Sequence, residues 1–73
     1  MYRIVLKNVG SNMVTKDFNI TVDTLAEAEV VAKEAAEKCL SAAMADVIKG
    51  RGGEYLVYAD THFAGSFTIT NLN

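Results

Sequence analysis

Apolar and polar residues alternate along much of this chain. Residues 2–9 read Tyr-Arg-Ile-Val-Leu-Lys-Asn-Val, with Tyr2, Ile4 and Leu6 separated by Arg3, Val5 and Lys7. A period of two is that of a strand with one buried face. Gly10-Ser11-Asn12 is a turn cluster. Residues 15–22 then alternate again, Phe18, Ile20 and Val22 against Asp17, Asn19 and Thr21. Two such runs, so close in sequence, predict an antiparallel hairpin.

The period changes at Thr24. Thr24-Leu25-Ala26-Glu27 fits a capping box, in which Thr at the N-cap and Glu three residues on satisfy each other's backbone donors. From there to about Ala43 the chain is rich in Ala, Glu and Lys and free of Gly and Pro. At 100° per residue, Leu25, Ala28, Ala32, Ala35, Ala36, Cys39, Leu40 and Ala43 form one apolar stripe, with Glu27, Glu34, Glu37 and Lys38 opposite. Glu29–Lys33 and Glu34–Lys38 are i,i+4 pairs in the favourable order, each worth about 0.3–0.5 kcal/mol. Because the stripe is mostly alanine, the strands must supply the bulk of the core. Phe18, Ile20, Phe63 and Phe67 are the candidates.

Beyond the helix the period returns toward two. Met44 to Lys49 predicts a short strand centred on Val47-Ile48, and Gly50-Arg51-Gly52-Gly53 a turn. Glu54 to Ala59 is a strand with apolar residues on both faces. Asp60-Thr61-His62 is a tight turn, Phe63 to Thr70 a last alternating strand with Phe63, Gly65, Phe67 and Ile69 on one side, and Asn71-Leu72-Asn73 a frayed tail. The expected fold is α+β: an antiparallel sheet of four to five strands with one helix packed on one face, order β-β-α-β-β-β, in a single domain over residues 1–73. The other face is then open, with Arg3, Val5, Lys7, Asp17, Asn19, Thr21, Ser66 and Thr68. Either Tyr55, Val57 and Ala59 or Leu56 and Tyr58 join them, so aromatic or aliphatic surface is exposed in both cases. Such patches are often interaction sites.

Composition narrows the function classes. The chain has 73 residues, 51% hydrophobic and 22% charged, which excludes disorder and leaves no room for a cleft between two domains. No apolar run approaches the length of a membrane-spanning helix or a signal peptide. One cysteine gives no internal disulfide. These features lead us to expect a cytoplasmic protein, with no membrane partner. Seven Lys+Arg against nine Asp+Glu give a net charge of −2, which argues against direct nucleic-acid binding.

Signals for chemistry are sparse. His62 is the only histidine and falls in a turn, while Cys39 falls on the buried stripe, where a thiol acts as a small hydrophobe. No spacing fits a metal site, and no convergent set of titratable groups suggests an enzyme. Catalytic residues, cofactors and metals are therefore not expected. Lys49-Gly50-Arg51-Gly52-Gly53 is basic and glycine-rich, but the Walker pattern is absent and no helix follows. A hairpin turn is the simpler reading; the alternative is a contact for phosphate or an acidic protein patch. Val30 stands on the outward side of the helix among Glu27, Lys33 and Glu34, either as an ordinary exposed apolar residue or as the centre of a docking surface.

Phe18-Asn19-Ile20-Thr21-Val22-Asp23-Thr24-Leu25-Ala26-Glu27-Ala28, a strand running into a capping box and an Ala-rich helix, resembles small phage-encoded inhibitors of bacterial RNA polymerase. The β-β-α-β-β-β order over residues 2–60 is similar to that of small anti-CRISPR proteins acting on type I surveillance complexes. The chain lacks the arginine-rich strand of the first family and is less basic than the second, so no functional residue is carried over. The resemblance implies a small non-enzymatic protein that inhibits a bacterial protein or nucleoprotein complex by steric occlusion. Candidate partner-binding residues are Tyr55, Tyr58, Arg51, Lys49, Arg3 and Lys7. The alternatives are a self-associating module forming a homodimer and a nucleic-acid-binding module stacking bases on Tyr55 or Tyr58.

Overall fold

The computed structural model describes residues 1–40 and 45–73. Five strands and one helix follow the order β1 (Tyr2–Val9), β2 (Val14–Ile20), α1 (Leu25–Lys38), β3 (Asp46–Lys49), β4 (Glu54–Ala59), β5 (His62–Asn71). The strands form one antiparallel sheet in the spatial order β2-β1-β5-β4-β3. The expected α+β architecture is therefore present. The helix ends at Lys38 with Cys39 as its C-cap, short of the expected end near Ala43, and the strand start expected at Met44 lies outside the described residues.

The two chain ends meet in the sheet interior. β1 pairs with β2 on one side and with β5 on the other, from Tyr2↔Asn71 to Lys7↔Ser66. Asn71 thus belongs to a strand, and Leu72 N–H donates to Met1 C=O at 3.0 Å. The expected frayed tail is corrected accordingly: the first strand binds the last.

The helix begins as its sequence dictates. Thr24 is extended at the N-cap, and its hydroxyl oxygen accepts from Glu27 N–H at 3.2 Å. The Glu27 carboxylate returns to the Thr24 hydroxyl at 3.1 Å rather than to its backbone. Ala28, Ala32 and Ala36 are completely buried against β1 and β5. Their small side chains let the helix lie close, and Ile4, Leu6, Val9, Val57 and Phe67 fill the space below. Tyr55 stacks on Phe67 with ring centroids 4.8 Å apart. Phe18 and Ile20 are half-buried at the flank, and Leu25, although on the apolar stripe, is exposed at the first helical position.

Phe63 departs from expectation. The register places Val57 opposite Gly65 but Tyr58 opposite Phe63, so Ala64 is an extra residue in β5. This bulge breaks the period of two between Phe63 and Gly65. Phe67 stays in the core, whereas Phe63 turns to the other side and is 61% exposed. The bulge needs a glycine. Gly65 has φ +137, and a Cβ there would come within 2.8 Å of both Asn8 C=O and Val9 Cα.

Candidate protein-binding surface

The register decides which side of β4 is free. Tyr55 and Val57 are buried under the helix, leaving Leu56 and Tyr58 on the open face. Leu56 pairs with Ile48, and Tyr58 pairs with Phe63 and Asp46. The Tyr58 and Phe63 rings meet edge-on at 5.7 Å. Ile48, Leu56, Tyr58 and Phe63 therefore form one apolar patch at the β3 end of the open face. Ile48 and Phe63 are more than half exposed within it. Across the sheet, Lys7 pairs with Ser66, which pairs with Leu56. Lys7 thus marks one border of the patch and Asp46 another.

Further along the open face, Arg3 clamps Asp17 with two hydrogen bonds, one of them 2.9 Å from Nε to Oδ1. The hydrogen bonds and charge of Arg3 pull the Asp17 carboxyl below its ordinary range, and Asp17 raises Arg3. Both side chains are about half exposed, so this pair fixes side-chain positions more than it stabilises the fold.

The six residues proposed from sequence do not share a surface. Tyr58 and Lys7 belong to the open-face patch, and Arg3 lies on that face but is occupied by Asp17. Arg51 sits in the β3–β4 turn, at the opposite end of β4 from Tyr58. There Gly52 and Gly53 have φ +63 and +77, and Glu54 N–H donates to Arg51 C=O at 3.1 Å, which is hairpin-turn geometry. Lys49 and Tyr55 are on the helix side. Tyr55 is 4% exposed, which removes it from the open face and from stacking a base there. Its hydroxyl donates to the Glu29 carboxylate. Burial first, then this carboxylate, push the phenol pKa up to about 12.

Glu29 therefore does not bridge to Lys33 as the helix spacing suggests. It lies between Tyr55 and Lys49, with Lys49 Nζ at 3.9 Å, and no ion pair of Glu34 with Lys38 forms among the described residues. Ile48 and Phe63 are the surface residues that sequence reading missed, whereas Leu56 was one of its two alternatives for the open face. Ile48 was detectable as the odd-face member of a four-residue strand, but the side change of Phe63 depends on a bulge that alternation does not register. Among the described residues, no group of three or more His, Cys, Asp or Glu is placed to hold a metal ion, and no helix is long and apolar enough to cross a membrane. No protein-family model, curated protein or solved structure matches the chain.

Proposed function

We propose that this is a non-enzymatic binding protein that occludes a surface of a bacterial protein or nucleoprotein complex with its open sheet face. The observation carrying the reading is the contiguous patch of Ile48, Leu56, Tyr58 and Phe63, two of whose members are large apolar side chains left more than half exposed. Surface of this kind with an aromatic centre and a charged border suits a protein interface. Arg3 and Asp17 form a fixed charged pair on the same face, on β1 and β2 and away from the patch. A domain of this size can bury roughly 800 Å² on its own side of a contact, enough for tight binding when a few anchors are well packed. The reading needs no cofactor, and the likeness to phage inhibitors makes a bacterial machine the partner to test first.

The test is affinity capture from bacterial lysate with the wild type and with Tyr58→Ser/Phe63→Ser. A partner held by the wild type should be lost by the double variant, while the circular-dichroism melting curve stays nearly unchanged. Equal retention by both would overturn the assignment of this face. Self-association through the same face is a second reading, favoured by the opposite charges of Lys7 and Asp46. A two-fold axis running along the strands would bring Lys7 of each copy toward Asp46 of the other. Sedimentation velocity should then show a dimer that Lys7→Glu dissociates and Lys7→Glu/Asp46→Lys restores; a monomer at all concentrations removes this reading.

A further inference from the structure

We infer that the outer edge of β3 is a docking edge for an extended segment of another protein, added as a further antiparallel strand and carrying an acidic residue followed by two apolar ones. This edge shares only Ile48 with the open-face patch, and three observations mark it out.

The first is where the backbone points. Gly50 N–H donates to Glu54 C=O at 2.8 Å, which makes Gly50–Glu54 a hydrogen-bonded pair. In an antiparallel ladder such pairs alternate with non-bonded ones. Ile48–Leu56 and Asp46–Tyr58 are then bonded as well, and Val47 and Lys49 aim their N–H and C=O groups away from β4. The β5 side agrees: Ile69 N–H donates to Gly53 C=O at 3.3 Å, which sets the same alternation in β4. β3 is terminal in the sheet, so among the described residues no strand takes these groups. A row of unpaired donors and acceptors is a template for another strand.

The second observation is where the side chains point. The helix packs chiefly on β1 and β5 and reaches β3 through the Glu29–Lys49 ion pair. A groove of about 320 Å³ remains between the helix and β3, lined by Val30, Lys33, Val47 and Lys49, with Tyr55 and Phe67 also contributing. Val47 and Lys49, whose backbones face outward, are the β3 residues that line it. A residue paired with Val47 would place its side chain beside Val47 and Val30, which is 57% exposed. The next residue of the added strand falls on the open face, opposite exposed Ile48.

The third is charge. Lys49 sits 5.9 Å from the Tyr55 ring centroid, and the Glu29 carboxylate beside it already accepts from the Tyr55 hydroxyl. Lys33 has no ion pair among the described residues. Glu29, whose carboxylate lies 3.9 Å from Lys49 Nζ, offsets one of the two ammonium groups, and the positive charge that remains favours an acidic residue opposite Lys49. Antiparallel addition, the arrangement of every other ladder in the sheet, then reads acidic, apolar, apolar along the partner.

The test is a ¹⁵N NMR titration of the full chain with the capped peptide Thr-Glu-Val-Val-Thr. Saturable shifts are expected at Val47, Ile48 and Lys49, with slowed amide exchange at Val47 and Lys49. Methylating the backbone nitrogen of the peptide's second valine should abolish binding, because that N–H faces Val47. Val47→Pro should do the same without removing a bond of the native sheet. Lys49→Glu should shift preference about fivefold or more toward the peptide with Lys in place of Glu. Tyr58→Ser/Phe63→Ser should leave peptide binding intact, which separates this inference from the open-face reading. The inference is overturned by an absence of saturable shifts at millimolar peptide, by shifts centred on β2 or Tyr58, or by binding that survives N-methylation. A concentration-dependent dimer that excludes the peptide would also overturn it, by assigning the edge to a second copy.

Discussion

Tyr55 shows how one side chain can serve the core and electrostatics together. Its ring stacks on Phe67, while its hydroxyl reaches Glu29 on the helix and ties α1 to β4. Because its pKa is raised from 10.0 to about 12, the folded protein holds the phenolic proton more tightly than the unfolded chain. That stability is fully present below pH 10 and is lost as pH rises toward 12. In urea melts across this window, the wild-type midpoint should fall and that of Tyr55→Phe should fall much less. The two late phenylalanines offer a sharper contrast. Phe67→Ala should destabilise by about 3–5 kcal/mol because it empties a buried site. Phe63→Ala, on the surface, should lie within about 1 kcal/mol of wild type. Gly65→Ala forces a Cβ against backbone at a positive φ and should destabilise by about 1–3 kcal/mol in the same urea assay.

At the scale of elements, the helix depends on its cap and on its alanines for different reasons. Thr24→Ala removes the acceptor for Glu27 N–H and should reduce stability by about 1 kcal/mol. Ala32→Leu keeps helix propensity but inserts volume where the helix approaches the sheet, and about 1–3 kcal/mol of destabilisation follows. The edges of the sheet differ in kind. β2 points Lys16 to the helix side, opposite buried Leu6, a charge that discourages added strands. β3 has only four residues, yet it carries Val47 and Ile48 on its two faces, and it borders the groove under Val30. Short length limits how much pairing this edge can attract, while side-chain grooves supply selectivity.

For the whole molecule, the central position of β5 governs folding. The last strand lies between β1 and β4, so the sheet cannot close until residues about seventy positions apart have met. Non-local pairing of this kind slows folding toward the millisecond-to-second range. Deleting residues 66–73 would remove Phe67 and Ile69 and split the sheet into two hairpins. That truncated chain should show no cooperative thermal transition by circular dichroism.

The sequence determined the strand and helix periods, the capping box at Thr24, the α+β class and the one-sided cover of the sheet. These follow from spacing along neighbouring residues, which is local. It placed Arg3 and Lys7 on the open face, because Tyr2 to Lys7 alternates without interruption, and it left Tyr55 and Tyr58 as alternatives for that face. Tertiary structure alone decided that Tyr55 faces inward, since both faces of Glu54–Ala59 are apolar and only pairing with β5 selects one. It also decided that Phe63 crosses to the surface, because the extra residue at Ala64 exists only relative to the partner strand. The same is true of the β3 edge: which backbone groups stay free is a property of register, and register is set by strands that are far apart in the chain.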